Sequence, residues 1–178
     1  MREAISKLNR EGLVEYRPYK GNFVRAFSAK QISDLFMVRK ALEGLAIRLA
    51  VAKRTDEDLA TLQRILNDMH VALEQGNLAE YSAADYEFHK TVAHISGNET
   101  LIEILDRLGM QIQIVRTIAN RDPDVVERTA HERPQILAAL EMRDAELAGR
   151  FMEMHIEGVR RSVVAQLEAH ERGGGEQG

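Results

Sequence analysis

Residues 28–53 read SAKQISDLFMVRKALEGLAIRLAVAK, and this stretch decides the fold class. Its start, Ser28 followed three residues later by Gln31, has the form of a capping box that opens a helix. Apolar residues then recur at spacings of three and four, which is the period of an α-helix with a broad apolar face. They are Ile32, Leu35, Phe36, Leu42, Leu45, Ile47, Leu49 and Ala52. We therefore predict a long helix that ends near Lys53.

Capping and breaking residues along the rest of the chain predict a succession of further helices. Ser, Thr, Asp and Asn favour helix starts, Gly favours helix ends, and Pro suits a first turn. On this basis helices are expected from Thr55 to Gly76, from Asn77 to Gly97, from Asn98 to about Asn120, from about Pro123 onward, and from Asp144 onward. An all-helical body follows.

Composition narrows the class of protein. The 178 residues are 44% hydrophobic and only 5% aromatic, and they include no cysteine, which excludes disulfides and thiol chemistry. No apolar run approaches the roughly 20 residues of a membrane span, and Met1–Ala4 does not begin a signal peptide, so we expect a cytoplasmic protein with no membrane contact. The net charge of −4 means that any contact with DNA must be local.

The first 25 residues differ from the rest in charge and in period. They contain six Lys or Arg and three Glu. Residues 2–10 have helical spacing, and Gly12 follows where a helix should end. Two short runs, 13–16 and 22–25, have strand character and are joined by a segment with Pro18 and Gly21. The segment is therefore predicted to form a helix followed by a β-hairpin.

Residues 2–24, REAISKLNREGLVEYRPYKGNFV, resemble the recognition helix and wing of GntR-family transcriptional regulators. The resemblance implies that Arg2 contacts DNA in the major groove and that Lys20 and Gly21 form the tip of the wing. In that family two further helices of the DNA-binding domain precede this position. We therefore expect the full-length protein to bind a short palindromic operator, and the 178-residue chain alone to bind it poorly.

Further motifs resemble the FCD domain, the all-helical ligand-sensing domain of the FadR subfamily. They are Arg39-x-x-x-Glu43, DYEFH at residues 85–89, SGN at 96–98, and the pattern from Ile136 through Arg143-Asp144 to His155. The resemblance implies a mainly all-α fold, an antiparallel bundle of about six helices, after the remnant of a winged helix-turn-helix. The expected domains are residues 1–27 for that remnant, 28–172 for the bundle, and 173–178 for a disordered tail.

Three polar residues form a candidate site. Asp85 and His89 are four residues apart, so their side chains lie on one face of a helix. His155 lies on a mostly apolar helical stripe that should face inward, where a ring nitrogen needs a partner. Such an Asp-His pair is also common on solvated helix surfaces, and a histidine on an apolar face is often only a core residue.

The FCD resemblance predicts that these three residues bind a metal ion. In that family one Asp and three His hold a divalent metal, and a small organic acid completes its coordination; Asp85, His89 and His155 match three of the four positions. The fourth position holds Arg133. Two hypotheses remain: Zn, Ni or Mn is bound by the three residues, helped by His131 if Pro134 kinks the helix, or Arg133 replaces the metal and binds a carboxylate directly.

We therefore interpret the chain as part of a ligand-responsive regulator and not as an enzyme. Its expected partners are operator DNA, a small carboxylate effector and a second copy of itself, since paired half-sites favour a homodimer. Arg39 is a further candidate anchor for the carboxylate. The alternatives are a metal-dependent hydrolase, which the DNA-binding remnant disfavours, and a metal-free helical module for oligomerisation.

Overall fold

The computed structural model describes residues 14–17, 19, 21–24 and 27–174. Within them, a two-stranded hairpin precedes six helices. The strands are β1 (Val14–Arg17) and β2 (Gly21–Val24). The helices are α1 (Ala29–Lys53), α2 (Asp56–Glu74), α3 (Leu78–Ile95), α4 (Glu99–Ala119), α5 (Pro123–Glu141) and α6 (Ala145–Gly174). The predicted all-α bundle of about six helices is confirmed.

The predicted caps begin the helices. Ser28 and Thr55 form complete capping boxes, in which the cap side chain accepts from the backbone N–H three residues on and the side chain there accepts from the cap N–H. Asn77 and Asn98 accept in the same way from the third residue of α3 and α4. Local side-chain chemistry thus sets most of the helix starts.

The hairpin pairs β1 with β2 in antiparallel register, with Val14 opposite Val24 and Arg17 opposite Gly21. Tyr19 in the connection has a φ of 63° and Gly21 a φ of 94°. Left-handed backbone of this kind is what a tight turn needs, and glycine adopts it without steric cost. The predicted wing-like hairpin is present, whereas the preceding helix predicted at residues 2–10 lies outside the described residues.

The core lies where α1 and α6 run along each other, with α3 and α5 packed against them. Gly44 of α1 faces Glu153, and Gly149 of α6 faces Arg48, so these two glycines leave room for a bridge between Arg48 and Glu153. Phe36, Ile47, Phe88, Ile136 and Met152 are among the fully buried apolar side chains. All six helices contribute buried residues to this core.

Two boundaries differ from those expected. α5 continues through Pro134, so the expectation that this proline kinks the helix and brings His131 to the site is wrong; His131 is exposed. α6 extends to Gly174, two residues past the expected end of the bundle at 172, and residues 175–178 lie outside the described residues. None of the described helices is both long and apolar enough to cross a membrane.

Candidate effector site

Seven charged or ionisable side chains meet inside the bundle, and each is at most 6% exposed. Five helices supply them. They are Arg39 and Glu43 from α1, Asp85 and His89 from α3, Arg116 from α4, Arg133 from α5, and His155 from α6. We call this set the buried polar cluster. Charges so far from water require partners, because each isolated one would cost several kcal/mol.

The structure brings together the three residues that the sequence singled out. Nε2 of His89 lies 3.6 Å from Oδ1 of Asp85, one helical turn away. The ring of His155 stacks on that of His89, with 5.3 Å between centroids and 24° between planes. One ligand atom from each of the three residues lies within 4.8 Å of the others. Their convergence, which the FCD resemblance implies, is therefore present in the fold.

Asp85 is held by two guanidinium groups. Arg133 donates from Nε and Nη2 to Oδ1, at 2.9 and 2.5 Å, and Arg116 contacts Oδ2 through Nε. Burial alone would raise the pKa of Asp85, but Arg116 and Arg133 hold it well below its usual range. Burial lowers the pKa of Arg116 to about 10, so it remains protonated at neutral pH. Asp85 is therefore an ionised carboxylate with both oxygens engaged.

Carboxylates also orient the two imidazoles. Nδ1 of His89 is hydrogen-bonded to Oε2 of Glu43, and Nδ1 of His155 lies 2.7 Å from Oε2 of Glu132. Burial opposes ionisation of Glu43, yet Arg39 and His89 hold its pKa below the usual range, so it accepts and His89 donates. Within the described part of the chain, Nε2 of His89 then has no hydrogen-bond partner. It faces Oδ1 of Asp85 across 3.6 Å.

Arg39, which was expected to anchor a carboxylate effector, binds the carboxylate of Glu43. Its Nε donates to Oε1 of Glu43 at 2.6 Å, and its guanidinium lies over the ring of Phe36, 5.1 Å from the centroid. Because the pair fixes Glu43, it also fixes the ring of His89. Within the cluster Arg39 contacts Glu43, and its direct contact with an effector stays a prediction.

Two clefts reach the buried polar cluster. The cleft between α3 and α4 encloses about 410 Å³, including the part in open solvent, and Glu43, His89 and Arg116 are among its lining residues. The other lies between α2, α3 and α5, measures about 680 Å³ on the same basis, and is lined in part by Tyr81 and Arg133. The first cleft therefore opens onto His89 and Arg116 and the second onto Arg133, while Asp85 lines neither of them.

The predicted DNA contacts lie at the other end of the chain. Gly21 begins β2 beside the turn, as expected for the tip of a wing. Arg2 and Lys20 lie outside the described residues. Their contacts with DNA, like that of Gly21, stay predictions.

Comparison with known proteins gives the family. The FCD domain matches residues 34–158, which is most of the chain. The chain is 31% identical over 163 residues to the Nta operon transcriptional regulator of Aminobacter aminovorans, covering 88% of this chain and 73% of that protein. The chain belongs to the FCD family.

A second relative and a solved structure are also similar to the chain. The HTH-type transcriptional repressor RspR of Escherichia coli K12 is 26% identical over 163 residues, covering 92% of this chain and 72% of RspR. The structure of E. coli McbR/YncC superposes with a TM-score of 0.84 at 23% identity, covering 93% of this chain and 84% of that one. The comparisons confirm the GntR-type resemblance and a role in transcription regulation; RspR and the Nta operon regulator are both named as regulators of transcription.

Two features of the FCD bundle match a metal centre. Asp85, His89 and His155 offer ligand atoms of suitable type at suitable separation. In addition, each histidine has a carboxylate on Nδ1, and metal-ligating histidines are usually oriented in this way. Three of the four ligands of a metal site are thus in place.

The charges around these ligands oppose a divalent cation. With neutral imidazoles, the three guanidinium groups and two carboxylates of the cluster leave a net charge of +1. A divalent ion would raise it to +3 in an apolar interior, where uncompensated charge is very costly. Arg133, moreover, stands at the fourth position and already binds Asp85. The ligand types suit a metal, but the cluster as a whole does not fit one.

Sequence reasoning missed Arg116, Tyr81 and Glu132. Arg116 follows Ile112 by four residues, so the apolar period of α4 already placed it on the buried face. Tyr81 precedes Asp85 by the same interval on α3, and its hydroxyl accepts from Nη1 of Arg133 at 3.0 Å. A search for polar residues in register with the apolar stripe would have found both. Glu132 carries no comparable signal.

Proposed function

We propose that this FCD domain binds a small carboxylate effector at the buried polar cluster, and that binding changes the affinity of the regulator for its operator DNA. The observation that carries the proposal is the excess positive charge inside the bundle. Arg116 and Arg133 are both buried, and their charges exceed what Asp85 neutralises. An anion that enters from the cleft would restore neutrality.

Guanidinium groups favour a carboxylate over other anions of similar size. They are planar and present parallel N–H donors that match the two oxygens of a carboxylate. The cleft that reaches Arg116 also has an apolar wall, formed by Ala93, Ile102, Leu105 and Ile112. This mixture suits a small organic acid, with the carboxylate at the cluster and a short apolar part against α4.

The link to DNA requires two states of the protein. We propose a homodimer in the cytoplasm that presents two winged helix-turn-helix domains to the half-sites of a palindromic operator, since two-fold protein symmetry matches two-fold DNA symmetry. The effector must bind the two arrangements of these domains unequally, because only differential binding shifts an equilibrium. α1 follows the hairpin and contributes Arg39 and Glu43, so it physically connects the cluster with the wing.

Thermal unfolding with a panel of small carboxylic acids tests the proposal. An acid present at 100 times its Kd should stabilise the chain by about 2.7 kcal/mol, seen as a rise in melting temperature. Arg116→Gln should lose the rise, because a buried donor to the acid is removed. Arg107→Gln on the same helix should keep it, since that side chain is 79% exposed. If no acid raises the melting temperature of the wild type, the proposal is wrong.

A metal-assisted form of the same function is the alternative. Zinc, nickel or manganese would then be held by Asp85, His89 and His155, and the ion would supply the positive charge that meets the acid. The observation in its favour is the carboxylate on Nδ1 of each histidine. We place it second because the cluster already carries the excess positive charge that a metal would provide.

A further inference from the structure

We infer that Arg133 takes the place of the family's metal ion, so that the cluster binds a singly charged carboxylate directly and without a metal. The inference rests on the proposed function and specifies how the effector is recognised. It predicts both the charge of the effector and the metal content of the protein.

The first step is the charge of the effector. The buried polar cluster carries +1 when its imidazoles are neutral. A monoanion then makes the occupied site neutral, whereas a dianion leaves −1 and a neutral molecule leaves +1 in the interior. Since an uncompensated buried charge is costly, the site should select monoanions.

The second step is the placement of Arg133. Its guanidinium is fixed by Asp85 on one edge and by the hydroxyl of Tyr81 on another. These bonds use three of its five N–H donors. The group is therefore held in position before any effector arrives, so that little side-chain freedom is lost on binding. A metal ion would serve the same purpose, as a fixed positive charge beside Asp85 and the histidines.

The third step concerns Nε2 of His89. This atom is buried and has no hydrogen-bond partner among the described residues. A hydrogen-bonding group of the effector, or a water that enters with it, can satisfy this atom as well as a metal can. The orphaned nitrogen therefore does not require an ion.

Metal analysis and calorimetry on the purified chain test the inference. The probes are acetate and glycolate as monoanions, malonate as a dianion and acetamide as a neutral isostere of acetate. We expect the protein to contain no stoichiometric zinc, nickel or manganese, and we expect a monoanion to bind equally well before and after dialysis against a chelator. Malonate and acetamide should bind at least tenfold more weakly, because each leaves a buried charge uncompensated.

Arg133→His is the decisive variant, because it removes the guanidinium and supplies the family's fourth histidine. It should gain zinc affinity by roughly tenfold or more over the wild type, and it should bind the monoanion only when zinc is present. Arg121→His is the matched control, since it makes the same change at an exposed position. The control should behave as the wild type in both measurements. If Arg133→His does not fold, the chelator experiment on the wild type still decides.

The outcomes separate this inference from the proposed function. If a probe stabilises the wild type and the chelator abolishes that effect, the effector site is real but the metal-free mechanism is wrong. Stoichiometric metal in the wild type, or tighter binding of malonate than of acetate and glycolate, would also overturn the inference. If neither these probes nor any acid of the larger panel binds, with or without added zinc, the proposed function itself fails.

Discussion

Two charged networks join the helices of this bundle, and they differ in exposure. The buried polar cluster lies at the centre. The other network, here called the α1–α6 seam, lies on the surface and consists of Lys40, Arg48, Glu153, Glu157 and Arg160. In the seam Arg48 donates to Glu153 at 2.7 Å, and the side chains of this pair remain 30% and 36% exposed. Solvent can therefore replace any partner that is lost there.

Ion pairs between the same residue types therefore contribute differently to stability in the seam and in the cluster. In the seam, hydrogen bonds from Arg160 and Lys40 lower the pKa of Glu157 to about 2, but water and salt screen a pair so close to the surface. In the cluster, no solvent replaces a missing partner, so each group depends on the others. Short ion-pair distances in both networks do not indicate equal contributions; burial decides how much each contributes.

The largest expected effect is that of Asp85→Asn. An amide cannot neutralise Arg116 and Arg133, so two buried guanidinium groups lose their counterion. Breaking a buried pair in this way should lower the free energy of unfolding by roughly 3–5 kcal/mol. Urea unfolding measured by circular dichroism gives the value.

A control variant and a double variant of the same chain are needed to interpret that experiment. Asp68→Asn, at an exposed position of α2, should change the free energy of unfolding by less than about 0.5 kcal/mol. The double variant Asp85→Asn with Arg133→Gln restores the net charge of +1, so it should be more stable than Asp85→Asn alone. A double variant that is less stable than the single one would show that charge balance does not hold the cluster together.

An intermediate effect is expected from pH, through His155. Burial lowers its pKa in the folded state, and Arg133 and His89 lower it further, while Asp85 opposes them. Glu132 faces its Nδ1. Because the unfolded chain takes up a proton near pH 6.5 and the folded one does not, the stability from this group is present above pH 6.5 and is lost below it. The free energy of unfolding should therefore fall as the pH is lowered from 7.5 to 5.5, by up to about 1 kcal/mol.

His155→Gln should flatten this pH dependence, whatever it does to stability at pH 7.5. His70→Gln is the matched control, because the His70 side chain is 72% exposed, and it should keep the slope of the wild type. Urea unfolding at pH 7.5, 6.5 and 5.5 measures both slopes. An unchanged slope in His155→Gln would mean that another group titrates.

The helices could be predicted from the sequence because their limits are set locally. Thr55 and Asn98 bond to groups only three residues away, so the capping rule needs no knowledge of the fold. At Pro134, rules that use only the local sequence give the wrong result. A proline removes an N–H and disfavours a helix interior. α5 nevertheless continues, with Arg133 and Ile136 on either side buried in the core, so tertiary packing outweighs the local preference.

The site was predictable only in part, for a related reason. Asp85 and His89 share a face by spacing alone, and the apolar stripe of α6 placed His155 inside. The pairing of Arg116 with Asp85 joins residues 31 positions apart, and no local rule indicates it. Arginines on helices usually lie at the surface. That Arg116 and Arg133 share the carboxylate of Asp85 could therefore be recognised only from the structure.

The smallest effect is expected from Glu153→Gln in the α1–α6 seam. The change removes one of the two carboxylates that pair with Arg48, at a site that solvent reaches, so the free energy of unfolding should fall by no more than about 1 kcal/mol. That difference should shrink further between 0.05 and 1 M NaCl, because salt screens exposed pairs but reaches buried ones much less. Asp85→Asn, measured in parallel, should keep most of its effect at high salt. Equal salt sensitivity of the two variants would contradict the distinction between a solvated seam and a desolvated cluster, since both would then behave as surface charges.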